Sequence, residues 1–237
     1  MQAAVATLRR AHLTAIDAAA NREVAGVESA WTVIASQVER NGWSTQTAID
    51  LGNETFRSTR ALIREATVLS RRHALAELRV ISKDAASSAA EADVRREDIN
   101  GLSALCMGMV ERVAAIVGAA EHPAAAILAE AHQGARIVET EGFRAYNAGR
   151  DAIGRTLAAA GDGTTYLLQT DLPERRDWLP AVVMQWDATL DRRTCPTCRA
   201  LDGKLRLLGS YFDGLPDPPA HPRCRCVLGY WPLAVPI

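Results

Sequence analysis

Residues 186–226 read WDATLDRRTCPTCRALDGKLRLLGSYFDGLPDPPAHPRCRC and hold four of the chain's five cysteines. They form two close pairs, Cys195 with Cys198 and Cys224 with Cys226, and His221 stands just before the second pair. In the C-x2-C pair, two thiolates can face one metal ion while the loop between them offers backbone N–H groups to the sulfurs. The second group is H-x2-C-x-C. A closed tetrahedral Zn²⁺ site takes four ligands, and five candidates are present: Cys195, Cys198, His221, Cys224 and Cys226. The preferred set is Cys195, Cys198, His221 and Cys224. Cys226 stays open as the fifth, because neighbours two apart on an extended chain point the same way. Either member of that pair can serve, and both can if His221 does not.

Three other readings stay open for these cysteines. Disulfides would suit an oxidising compartment, and the N-terminus shows no secretion signal. A redox-active CxxC would suit a βαβ pattern, which the sequence lacks. The thiols can also be simply buried. A metal has a clear physical task here, since the segment is short, polar and rich in turns, with little apolar area to offset chain entropy. Structural zinc supplies folding free energy on the order of 10 kcal/mol. No Glu stands in an HExxH arrangement, so the expected site is structural and not catalytic.

The run Trp186-Asp187 … Asp191-Arg192-Arg193-Thr194-Cys195-Pro196-Thr197-Cys198-Arg199-Ala200-Leu201-Asp202-Gly203-Lys204 resembles the first signature of the phage Mu F-like minor head proteins. These are also known as phage SPP1 gp7-type head morphogenesis proteins. Pro218-Pro219-Ala220-His221-Pro222-Arg223-Cys224-Arg225-Cys226 resembles their second signature, in the same order and at an ordinary separation. Residues 135–149, with Thr140, Glu141 and Asn147, are similar to the family's helical lead-in. The resemblance spans roughly residues 125–232, strongest in the tail. It implies a minor structural protein of a tailed-phage or prophage head, working in head assembly near the portal vertex. The implied partners are the portal protein and the major capsid or scaffolding protein. Phage DNA and a second copy of the chain are further candidates, and no membrane is expected. The implied location is the virion head, and the host cytoplasm during assembly.

The 237 residues carry a formal net charge of -1, with 23% charged and 48% hydrophobic residues, an ordinary globular balance. Overall basicity of the kind that announces a nucleic-acid binder is absent. Lys83 and Lys204 are the only lysines. No stretch is expected to reach bilayer-spanning length.

The Ala-, Arg- and Glu-rich stretch 2–39 predicts a helix, with Gly26 as a weak point and Asn41-Gly42 as a stop. A second helix starts near Ser44 or Asn53, with Leu62, Ala66, Leu69, His73, Ala76 and Val80 as its apolar face. His73 reads as a packed residue. Ser82 through Ala92 reads as a loop or a poorly packed continuation. A third helix spans Asp98–Gly118, with Leu102, Leu105, Met109, Val113 and Ile116 inward and Cys106 buried beside them. Pro123 opens a fourth helix running to about Ala160, with a break expected near Gly149 or Gly154. Ala131, Ala135, Val138, Gly142, Ala145 and Gly149 form a small-residue stripe permitting close helix approach. Arg136, Thr140, Arg144, Asn147 and Asp151 read as a solvated polar face or as a contact strip for a neighbouring head protein or another part of this chain, with Thr140 and Asn147 at the join to the tail. Short strands are expected at 164–168, 181–186, 204–208 and 226–230, with a tight turn at Asp202-Gly203.

The predicted fold class is therefore a mainly α N-terminal region of long helices, followed by a small irregular β-rich α+β segment tied by a Cys/His site. The expected division is a helical region, 1–120, and a head-morphogenesis domain, 121–237. The latter comprises the long helix 123–160 and a sheet-and-cysteine tail, 164–232. P-loop, dinucleotide, GxSxG and HExxH patterns are lacking, so the chain is expected not to be an enzyme. Two alternatives to the head protein are carried forward: a zinc-containing nucleic-acid binder, and a metal-dependent enzyme.

Overall fold

A computed structural model describes residues 2–81, 86–87, 89–90, 99–160, 181–215 and 217–233. The expected strand at 164–168, and most of 82–92, lie outside the described residues. Four long helices come first: α1 (Gln2–Asn41), α2 (Thr45–Ile81), α3 (Ile99–Gly118) and α4 (Pro123–Ala160). They are followed by β1 (Ala181–Asp187), the short helix α5 (Pro196–Leu201), β2 (Leu205–Leu207) and β3 (Val227–Leu233). The fold class is the one read from the sequence, long helices followed by a small irregular β-rich segment with a Cys/His cluster.

Local chemistry sets the helix ends. Gly42, at φ 81°, closes α1 with its N–H on the Val38 carbonyl at 2.8 Å, the left-handed stop that glycine tolerates best. Ser44 opens α2, its Oγ accepting from the Thr47 N–H at 3.2 Å. Gly26 does not interrupt α1, and neither Gly149 nor Gly154 breaks α4. An interior glycine costs only about 1 kcal/mol against alanine, which packing readily offsets.

The chain packs as two compact units, each discontinuous in sequence. The helical unit takes Asp17–Glu65 and Arg96–Gly142. Its centre is the fully buried Trp31, whose Nε1 donates to Thr55 Oγ1 at 3.2 Å. Thr55 in turn donates to the Leu51 carbonyl at 2.9 Å. On α4, Ala135, Val138 and Gly142 are buried. A Cβ at Gly142 would fall 2.2 Å from Leu62 Cδ2, so the small-residue stripe does permit close approach there. On α3 the buried face is Leu102, Cys106, Met109, Val110, Val113 and Val117, while Leu105 and Ile116 are exposed. The expected stripe was thus rotated by part of a turn, because Cys106 and Val110 pack inward as readily as leucine.

Helix α3 also corrects the expectation about spanning length. Gly101–Gly118 has a mean hydropathy of 1.5, long and apolar enough to cross a membrane by length and composition. Glu111 and Arg112 nevertheless lie exposed near its middle, where a bilayer would charge roughly 2.5–3.5 kcal/mol for each.

The sheet-bearing unit takes Met1–Ile16, Ala66–Arg95 and Phe143–Ile237. Its sheet is antiparallel, in the order β2-β1-β3. Central β1 pairs Val183 with Leu207 on one side and with Trp231 on the other. Val182, Val183, Met184 and Trp186 of β1 are all buried. Around them pack Val5 of α1, Leu78 and Ile81 of α2, Ile153 and Leu157 of α4, and Phe212. Trp186 and Phe212 meet edge to face at 5.3 Å. Gly203, at φ 77°, makes the expected turn into β2, its N–H on the Trp186 carbonyl at 2.8 Å.

Candidate metal centre

Cys195, Cys198, His221, Cys224 and Cys226 all converge on one corner of this unit. Cys195 caps α5: its Sγ accepts the Cys198 N–H at 3.3 Å, and Pro196 occupies the first helical position. This places both thiols of the C-x2-C pair on the same side. His221 Nε2 lies 3.2 Å from both Cys195 Sγ and Cys198 Sγ. Cys198 Sγ lies 3.8 Å from Cys224 Sγ. Two sets of donors lie within 4.8 Å of one another, Cys195-Cys198-His221 and Cys198-Cys224-Cys226, with Cys198 common to both. All five cysteines of the chain are free.

The imidazole is oriented for ligation. His221 Nδ1 sits 2.9 Å from the Pro222 carbonyl. A carbonyl only accepts, so Nδ1 carries the proton and Nε2 turns toward the two thiols. Ligand histidines are commonly fixed by such a bond on the distal nitrogen. Despite burial, the Pro222 carbonyl and the negative Cys224 raise the His221 pKa. The thiol crowd separates by charge. A hydrogen bond from Cys226 brings Cys224 down to about 5, so it is the first to become thiolate. Burial and that neighbouring negative charge push Cys198 up to about 12. Cys226 is raised by the bond it gives Cys224 and by burial. For Cys195, burial is outweighed by the Cys198 N–H, and its pKa falls. Thiolates so close together repel unless a cation lies among them. The donor set fits a metal that prefers sulfur and nitrogen, and the cluster can coordinate such an ion.

Asp191 braces the two cysteine loops. Arg225 Nη2 reaches both of its carboxylate oxygens at 2.6 Å, and the Arg193 N–H reaches Oδ1 at 2.8 Å. Arg225 is buried, and its bond to Asp191 holds that carboxyl down at about 2.

Residues 169–229 match the family model described as Phage Mu protein F like protein. The match takes in β1, both cysteine groups and the opening residues of β3, and it links this part of the chain to that phage family. The helical lead-in on α4 lies outside it. Comparison with curated proteins and with solved structures returned no match.

What holds the matched segment in place comes from elsewhere in the unit. Asn147 of α4 lies at the join to the tail, as the sequence suggested, and is buried in contact with another part of the chain and not on a solvated face. Its Nδ2 donates to the Cys226 carbonyl at 3.0 Å, and its Oδ1 accepts the Leu228 N–H at 2.9 Å. The side-chain amide thereby makes the pair of bonds that a neighbouring strand would make. One turn on, Arg150 Nε donates to the Leu228 carbonyl. Its Nη1 and Nη2 grip Glu77 of α2 at 2.9 and 2.6 Å. Glu77 also accepts from Arg9 Nε at 2.8 Å and meets His12 Nδ1 at 2.8 Å, both on α1. Arg9 goes on to Gln185 of β1 at 2.6 Å and lies 4.4 Å over the Trp231 ring. A Cβ on Gly229 would collide with the Arg9 guanidinium, and one on Gly154 would collide with Tyr230. Both glycines are therefore places where only a bare backbone fits.

Burial alone would favour a neutral Glu77, but Arg150, His12 and Arg9 outweigh it and hold the carboxylate far below its usual range. His73 stacks on His12 at 3.9 Å and meets Tyr146 Oη at 2.8 Å. Burial, with His12 and Arg150 beside it, lowers His73 to about 3. It is the packed residue the sequence implied. Glu77, Arg9 and Arg150 were not anticipated, since charged residues in an amphipathic helix read as solvent-facing.

Proposed function

We propose that this chain is a minor structural protein of a tailed-phage or prophage head, acting by binding during head assembly, with a structural Zn²⁺ in its Cys/His knuckle. The observation that carries the reading is the family match over the same residues that assemble the donor cluster. Cys195, Cys198, His221 and Cys224 would hold the ion, with Cys226 beside Cys224 as the alternative fourth donor. Bound there, zinc would supply metal–ligand bonds that tie the two cysteine loops together at the edge of the apolar core. The chain's own residues do the rest: Asp191 and Arg225 brace the loops, and α5 presents the first thiol pair. The partners we assign are the portal protein and the major capsid or scaffolding protein, at or near the portal vertex. The location we assign is the virion head, after assembly in the host cytoplasm.

A second reading, a zinc-containing nucleic-acid binder, has one observation in its favour. Arg192, Arg193, Arg199 and Arg223 are exposed on the knuckle. Asp191 pairs with Arg225 and Arg193, and Asp213 with Lys204 and Arg206. Such a face suits phosphate contacts.

Elemental analysis and thiol titration of protein purified without chelator test the metal. About one zinc per chain, with the knuckle thiols protected until chelator is added, is the expected result. Metal-free protein with freely reactive thiols would remove it. Co-purification with the portal protein from assembling heads tests the role. Duplex affinity that drops steeply with salt, without head incorporation, would favour the second reading.

A further inference from the structure

The knuckle and the buried polar cluster share one strand. Cys226 immediately precedes β3, and Cys224 lies three residues before the strand begins. The backbone of 226–228 is held on its outer side by α4, through Asn147 on the Cys226 carbonyl and the Leu228 N–H, and Arg150 on the Leu228 carbonyl. Arg150 is gripped by Glu77, and Glu77 by Arg9 and His12. Asn147, Arg150, Glu77 and Arg9 are each at most 4% exposed. Groups so buried cannot exchange a lost partner for water, so the set moves together or not at all.

We infer that Asn147 and Arg150 are positioning residues of the Cys/His site, and that a metal bound there reciprocally holds the first turns of α1 in place. This rests on the zinc reading above. Asn147 fixes where the chain carrying Cys224 and Cys226 runs, so it sets how well the second donor pair meets the first. Coupling between two parts of a molecule is symmetric. If α4 and α1 favour a knuckle ready for metal, the metal favours the packing of α4 and α1 by the same free energy. Outer-shell groups that orient ligands typically contribute 10- to 100-fold in metal affinity.

The test measures zinc affinity by competition with a chromophoric chelator, for the full chain and for Asn147→Asp. Aspartate keeps an acceptor for the Leu228 N–H but sets an oxygen against the Cys226 carbonyl. Arg150→Lys is the second variant, keeping the charge and losing the forked contact. Thr55→Val, in the helical unit, is the control for a stability loss remote from the knuckle. Far-UV circular dichroism at the working temperature checks that each is folded. The expected result is zinc binding weakened roughly 10-fold or more in Asn147→Asp and Arg150→Lys, and unchanged in Thr55→Val. In the wild type, chelation should speed amide exchange over residues 5–16 and leave the Trp31 segment of α1 unchanged. Folded variants with wild-type zinc affinity, or exchange at 5–16 indifferent to chelation, would overturn the inference and leave the zinc reading standing. A wild type that binds no zinc would overturn both.

Discussion

The two units solve the same problem with different materials. In the helical unit, the buried relay at Trp31 runs through Thr55 to the Leu51 carbonyl and joins neutral groups. In the sheet-bearing unit, α1, α2, α4 and the sheet are joined through two arginines, a glutamate and an amide, all buried, next to a group of thiols. Breaking a buried neutral hydrogen bond strands a dipole, at a cost of about 1–3 kcal/mol. Breaking a buried ion pair costs more, because the charge left behind has no solvent. The first unit should therefore degrade by degrees under mutation, and the second should fail at particular points.

The largest effect should come from the knuckle. Cys198 is common to both donor sets, so under the proposed zinc reading Cys198→Ser should abolish zinc binding and, with it, folding free energy on the order of 10 kcal/mol. Elemental analysis and the near-ultraviolet signal of Trp186 would report this, while the far-ultraviolet helix signal persists. A zinc-loaded Cys198→Ser protein would count heavily against the donor assignment. Next comes Glu77→Leu, which leaves Arg150 and Arg9 buried without their anion and should cost about 3–5 kcal/mol in denaturant unfolding. Thr55→Val in the helical unit strands the Trp31 Nε1–H and should cost less, about 1–2 kcal/mol. Equal losses in these two variants would erase the contrast between the units.

The smallest effect is a slope. Unfolded, His73 takes up a proton near pH 6.5, but in place it does so only at about 3. Its share of stability is complete above about pH 6.5 and drains as pH falls toward 3. His12 from α1, Arg72 and Glu77 from α2, and Tyr146 and Arg150 from α4 act on it. Asp187, raised to about 6 mainly by burial, works the other way between about pH 6 and 4. Replacing His73 by Gln should therefore flatten the fall in melting temperature on acidification, and an unchanged slope would reassign the effect to other groups.

The sequence carried the long helices, the three described strands and all five donor candidates, because each is a short-range pattern. Cys195, Cys198, His221, Cys224 and Cys226 announce themselves by spacing. What it hid was long-range or inverted in sign. Arg9 and Glu77 are 68 positions apart, Asn147 and the Cys226 carbonyl 79, and no periodicity reports such pairings. The α2 face was read as Leu62, Ala66, Leu69, His73, Ala76 and Val80; Leu62, Ala66 and His73 are buried, but Leu69 and Ala76 are only half-buried, Val80 is exposed, and Ser70 and Glu77 are buried beside them. Charge argued for water there, and only partners from other elements make burial affordable. Helix α5 was also missed, although Cys195-Pro196 is a cap followed by the residue best suited to a first helical turn.

The amide of Asn147 has a further consequence, for what the sheet can do to other chains. A three-stranded sheet ordinarily ends in two rows of unfilled backbone donors and acceptors, each a template for a foreign strand. Here the β2 side is only three residues long and turns away at once, with the Ser210 N–H folding back onto the Leu207 carbonyl. On the β3 side, Asn147 and Arg150 fill the positions a foreign strand would seek first. The Cys226 carbonyl and both backbone groups of Leu228 are thereby closed to a foreign strand. Stripping Asn147 would remove that safeguard along with a pair of hydrogen bonds.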